Sequence, residues 1–100
     1  MMIDRVALAL ESMRSWQARA EKAEADYDRG LDDTINHALT QRQRMVKMSP
    51  NEMEAIASEK WKSSVQARRL ISLNNWAIEY ATMYAMIAQA EMMAEVRDGR

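Results

Sequence analysis

The 100-residue sequence has no cysteine, no phenylalanine, one proline, two glycines and one histidine. Without cysteine there is no disulfide, no thiolate nucleophile and no Cys-ligated metal site, which suits a reducing compartment and makes the cytoplasm the expected location. With so few chain breakers, long helices are the expected local structure. The lone histidine excludes the repeated Glu-x-x-His pattern of a di-iron bundle. No Gly-rich phosphate loop, His-Glu-x-x-His helix or Gly-x-Ser-x-Gly elbow occurs. We therefore expect no enzyme, no cofactor and no metal. Long hydrophobic runs are also lacking. The most apolar stretch, Tyr80 to Ala90, lies between Glu79 and Glu91, whereas a bilayer span needs about 20 residues. The early run Val6 to Leu10 is too short for a signal-peptide core. Neither a membrane partner nor secretion by that route is expected.

What is present points to a helical domain. Hydrophobic residues make up 48% and charged residues 29% of the chain, a balance typical of globular proteins, and the length suits a single domain over residues 1–100. The net charge of -1 lacks the positive excess of a dedicated nucleic-acid binder, so only a local basic patch could serve that purpose. Ten methionines make the apolar surface flexible and polarizable, as suits contact with partners.

In the first half, Ile3, Val6, Leu10, Met13, Trp16, Ala20, Ala23, Tyr27, Leu31, Ile35 and Leu39 recur in steps of three and four, keeping to one side of a helix. A helix or helix pair is predicted over 3–47, either continuous through Gly30 or kinked or briefly broken there. Ser49-Pro50-Asn51-Glu52 is the strongest start signal: Ser at the N-cap, Pro at the first helical position and Glu two residues on form a capping box. Met48 and Met53 are placed to staple it. A turn over 48–50 and a helix or helix pair over 50–97 follow, patterned by Trp61, Val65, Leu70, Leu73, Trp76, Tyr80, Met83, Ile87 and Val96. Ser72-Leu73-Asn74-Asn75 is the expected bend, because Ser and Asn compete for local backbone hydrogen bonds.

The predicted fold class is all-α: a long antiparallel hairpin turning at Ser49-Pro50, with bends near Gly30 and Asn74. Folding back about Ser49 sets Trp76 near Ala23, Trp61 near Ala38, and Trp16 near Ala81 to Ala85. It also brings Asp28, Asp32 and Asp33 toward Arg68 and Arg69, and Arg42 and Arg44 toward Glu54 and Glu59. Two helices alone bury too little surface to be well stabilised. The segment from Trp76 to Val96 is apolar on more than one face. Either bends at Gly30 and Asn74 fold the rod into a compact bundle, or two copies pair into a four-helix bundle; of the two, dimerisation is expected.

The candidate interface comprises Trp76, Tyr80, Met83, Tyr84, Met86, Ile87, Met92 and Met93, to be covered by a second copy or by an unidentified protein partner. The alternative is a nucleic-acid contact built from Arg42, Arg44, Lys60, Trp61, Lys62, Arg68 and Arg69, with Trp61 as the stacking ring between two lysines. His37 with Asp33 four residues earlier has the spacing of a proton relay. Without a nucleophile or pocket motif, His37 reads as a structural or surface residue.

A helical hairpin of this length invites comparison with the secreted WXG100 family. The turn Ser49-Pro50-Asn51 and the "WKS" at Trp61 to Ser63 lack that family's glycine, and no acidic residue follows Tyr27, Tyr80 or Tyr84 at four residues. In style, "NEMEAIASEKWKSSVQARRL" followed by "NNWAIEYATMYAMIAQAE" resembles small all-helical accessory proteins of bacterial viruses. That resemblance implies a non-enzymatic product that binds and modulates a host or viral protein.

Overall fold

A computed structural model describes residues 4–45 and 47–98, with the backbone alone for 42–45. The fold is all-α, a helical hairpin with no strand among the described residues. Its helices are α1 (Arg5–Met45), α2 (Pro50–Lys62) and α3 (Val65–Asp98). The chain divides into two compact units, one formed by residues 1–22 and 73–100, the other by residues 23–72.

Local chemistry explains the helix boundaries. Asp4 caps α1 through a bond from the Ala7 amide to its carboxylate at 3.1 Å. Ser49 caps α2 as the sequence predicts, its hydroxyl accepting from the Glu52 amide at 3.2 Å with Pro50 in the first turn. The predicted return bond, from the Ser49 amide to the Glu52 carboxylate, is not made among the described residues, so the box is half closed.

The second boundary falls at a place the sequence reading passed over. The chain breaks at Ser63-Ser64, and Ser72 to Asn75 lie within the unbroken α3. The Ser63 hydroxyl donates to the Glu59 carbonyl at 2.9 Å, closing α2. The Ser64 hydroxyl accepts from the Ala67 amide at 3.1 Å, opening α3. Two adjacent serines thus serve as the stop of one helix and the cap of the next, a role their short hydroxyls favour over mid-helix positions. Asn74 does not compete with its own helix. In the first unit its amide donates across to the Ala20 carbonyl at 2.8 Å.

In the first unit, α1 and α3 pack antiparallel. Trp16 meets Tyr80 in a tilted contact with ring centroids 4.6 Å apart, and the Arg19 guanidinium lies over the Trp16 ring at 4.2 Å. Arg5 reaches Glu91 at 3.8 Å, an exposed pair of little energetic weight. The buried residues are all small: Ala9 and Ala20 on α1, Ala77, Ala81 and Ala88 on α3. Along α3, Asn74, Ala77, Ala81, Tyr84 and Ala88 alternate in steps of three and four, the heptad spacing of a coiled-coil seam. Alanine at these positions lets helices approach closely.

The second unit is built around one large side chain. Trp61 of α2 is 6% exposed, and Ala23, Ala57 and Ala67 of the same unit are also buried. Its ring tilts against Tyr27 at 5.7 Å. Of the two alternatives at Gly30, the helix is unbroken there, and the missing side chain leaves the notch that receives Trp61. A Cβ there would overlap the six-membered ring of Trp61.

The predicted neighbours fare unequally. Trp61 shares a groove with Ala38, as expected, and its ring also meets Tyr27 and Gly30. Trp76 is not set into the hairpin and is 62% exposed. Asp28, Asp32 and Asp33 make no ion pair with Arg68 or Arg69 among the described residues. The side chains of Arg42 and Arg44, expected opposite Glu54 and Glu59, lie outside those described.

Two stability predictions follow from these contacts. Ser49→Ala should lower unfolding free energy by about 1 kcal/mol, the usual loss for a cap, and Pro50→Ala by less, in urea melts. Gly30→Ala would stabilise an ordinary exposed helix by about 1 kcal/mol. Here overpacking against Trp61 should reverse the sign and destabilise by roughly 1–3 kcal/mol. A Gly30→Ala protein melting at higher urea than the parent would contradict the notch.

Candidate functional site

Burial of alanine leaves the larger apolar groups of the first unit outside. On α3, Trp76, Ile78, Met83, Met86, Ile87 and Met93 are 62%, 51%, 41%, 65%, 41% and 61% exposed. At 3.6 residues per turn, the row Glu79, Met83, Met86, Ala90, Met93 lies on the side of α3 opposite the alanine seam. An open apolar groove follows this side, walled by Ile78, Thr82, Met83, Met86, Ile87 and Ala90, with Glu79 at its edge. A second open groove lies where α1 and α3 meet, between Leu10 and Met13 on one side and Met92, Met93 and Val96 on the other.

The sequence-predicted interface therefore divides. Trp76, Met83, Met86, Ile87, Met92 and Met93 are exposed, so they are available to another molecule. Tyr84 is half-buried in the seam. Tyr80 is 41% exposed but spends one ring face on Trp16. Ile78 and Ala90, outside the predicted interface, line the same groove. Their spacing of seven and four residues from Ile71 and Met86 was the signal for them.

The basic alternative loses its stacking ring. Trp61 is a core residue of the second unit, so it is unavailable to a nucleobase. Lys60, Lys62, Arg68 and Arg69 are exposed. Arg42 and Arg44 lie in α1, with side chains outside those described. A groove in this unit is lined by His37, Gln41, Lys60, Trp61 and Ser64 among others. The Trp61 Nε1 is buried there without a hydrogen-bond partner. His37 is exposed and meets Gln41 at 3.1 Å, not Asp33. Among the described residues, no group of three or more His, Asp or Glu side chains is gathered that could hold a metal ion.

No family profile, curated protein or solved structure matches the chain. Among the described residues, no helix is long and apolar enough to cross a membrane.

The two tryptophans should respond oppositely to truncation. Trp61→Ala empties a core site and should cost about 3–5 kcal/mol. Trp76→Ala removes an exposed ring and should cost under about 1 kcal/mol in dilute protein, since surface changes are usually small. Urea melts at nanomolar concentration, where any association is suppressed, would compare them directly. Equal losses would contradict the burial assigned to each.

Proposed function

We propose that the chain is a non-enzymatic helical interaction module that works as a homo-oligomer, a dimer being the simplest assembly, and that binds and modulates a protein target. One observation carries this reading. The α3 helix has two apolar sides, and the chain covers only one of them. The uncovered side holds larger apolar groups than the covered one: Met86 and Met93 stay 65% and 61% exposed while Ala77 and Ala88 are 0% and 3%. Ordinary monomers scatter exposed apolar residues singly, whereas a continuous row of them marks an interaction surface. The enrichment of methionine there agrees with the composition of interfaces. The resemblance to small helical accessory proteins of bacterial viruses supports a host or viral protein as the target.

Sedimentation equilibrium tests the oligomer: the protein at micromolar concentration should sediment at twice its chain mass or more. Met86→Lys should lower association at least tenfold while changing the stability of the isolated chain by under about 0.5 kcal/mol, as for a surface substitution. A chain that is monomeric throughout the micromolar range would refute self-association. Affinity capture from the native host, repeated with Met86→Lys, would then show whether the same side of α3 holds a different protein.

A further inference from the structure

The exposed side of α3 carries a pattern in its charges as well as its apolar groups. Glu79, Met83, Met86, Ala90, Met93 and Arg97 follow one another in alternating steps of four and three. That is a second heptad row, separate from the alanine seam, and it lies on the opposite side of the same helix. Its interior is apolar and its two ends are charged, acidic at Glu79 and basic at Arg97. Neither end residue makes an ion pair with a described residue of its own chain.

The row is also symmetric. It is centred on Ala88, so reversal about that point exchanges Glu79 with Arg97, Met83 with Met93, and Met86 with Ala90. In an antiparallel pair of such helices, positions of one heptad class face those of the other, which is the exchange this reversal makes. Two copies related by a two-fold axis at Ala88 therefore place Glu79 of each against Arg97 of the other. Methionine and alanine layers lie between. A parallel pair would set Glu79 against Glu79 and Arg97 against Arg97, two like-charge contacts that disfavour it.

Resting on the reading of the chain as a homo-oligomer, we infer that the occupant of this row is a second copy of the chain, its α3 antiparallel and in register about Ala88. The contact is isologous: each copy offers the same patch, and the axis closes the assembly at two chains. The alanine seam to α1 stays intact, because it faces away.

Cross-linking reads the register directly, since the parent has no cysteine. Met83→Cys and Met93→Cys are each prepared, then oxidised alone and as an equal mixture. The antiparallel register predicts a disulfide-linked heterodimer in the mixture. Each variant alone should give little product, because its two thiols would lie about 15 Å apart along the axis at 1.5 Å per residue. Self-linked product from each variant alone would establish a parallel pair and overturn the inference. Dimer by sedimentation with no disulfide in any sample would move the interface elsewhere, overturning the register while leaving the oligomer reading intact. A monomeric parent would end both. Charge exchange gives an independent check: Glu79→Arg or Arg97→Glu should weaken dimerisation about tenfold through two repulsive contacts, and combining them should restore it. Failure of the double variant to recover would also count against the register.

Discussion

Close approach of helices along a seam of small side chains is the constraint from which the other features of the structure follow. Ala67 and Ala77 are fully enclosed and Ala23 nearly so, whereas no large aliphatic residue among those described is fully buried. An alanine methyl buries little area, so the seam contributes modest hydrophobic stabilisation for each residue. Aromatic anchors supply what the alanines do not. In the first unit, Trp16 of α1 meets Tyr80 of α3 and carries the Arg19 guanidinium over its ring. In the second, Trp61 enters the space left by Gly30. Each anchor is bulky where the seam is thin, and each therefore fixes the register of its unit more sharply than methyl groups can.

The same constraint explains which parts of the fold were legible in the sequence. Helical content was plain from the scarcity of breakers, and the start of α2 was plain because Ser49, Pro50 and Glu52 act locally. The side of α3 that faces α1 was not. A search for periodic apolar residues selects Leu73, Trp76, Tyr80, Met83 and Ile87, which are the ones left 41–62% exposed. The true seam, Asn74, Ala77, Ala81, Tyr84 and Ala88, follows the same period one residue later but consists of small or polar groups. Hydrophobicity weights the larger side chains, while close packing rewards the smaller, and only the partner helix decides between them. The role of Gly30 was hidden for a related reason. Its value lies in the space it leaves for a tryptophan 31 positions away, and no local rule carries that information.

The candidate site was legible in part and for a better reason. Excess apolarity around α3 is a property of one helix, visible without knowing its neighbour, so Trp76, Met83, Met86, Ile87 and Met93 were identified before their exposure was known. Trp61 shows the opposite case. Lysines on both sides gave it the look of a stacking residue, yet flanking charges on a helix point away from the side that the central residue presents. Its two lysine neighbours are exposed because Trp61 is buried.

Methionine softness bears on how such a surface could be specific. Met side chains are unbranched and adopt many rotamers, so a methionine row accommodates several partners and several registers with similar packing energy. Shape alone would leave the exposed side of α3 poorly discriminating. Charge placement then has to decide orientation, and in this row the charges sit at the two ends, Glu79 and Arg97, as far apart as the apolar interior allows. That placement has a physical advantage. End positions remain close to solvent, where pairing carries little desolvation penalty, while a mismatched pair still repels. A soft apolar interior supplies area, and charged ends select the direction in which that area is used.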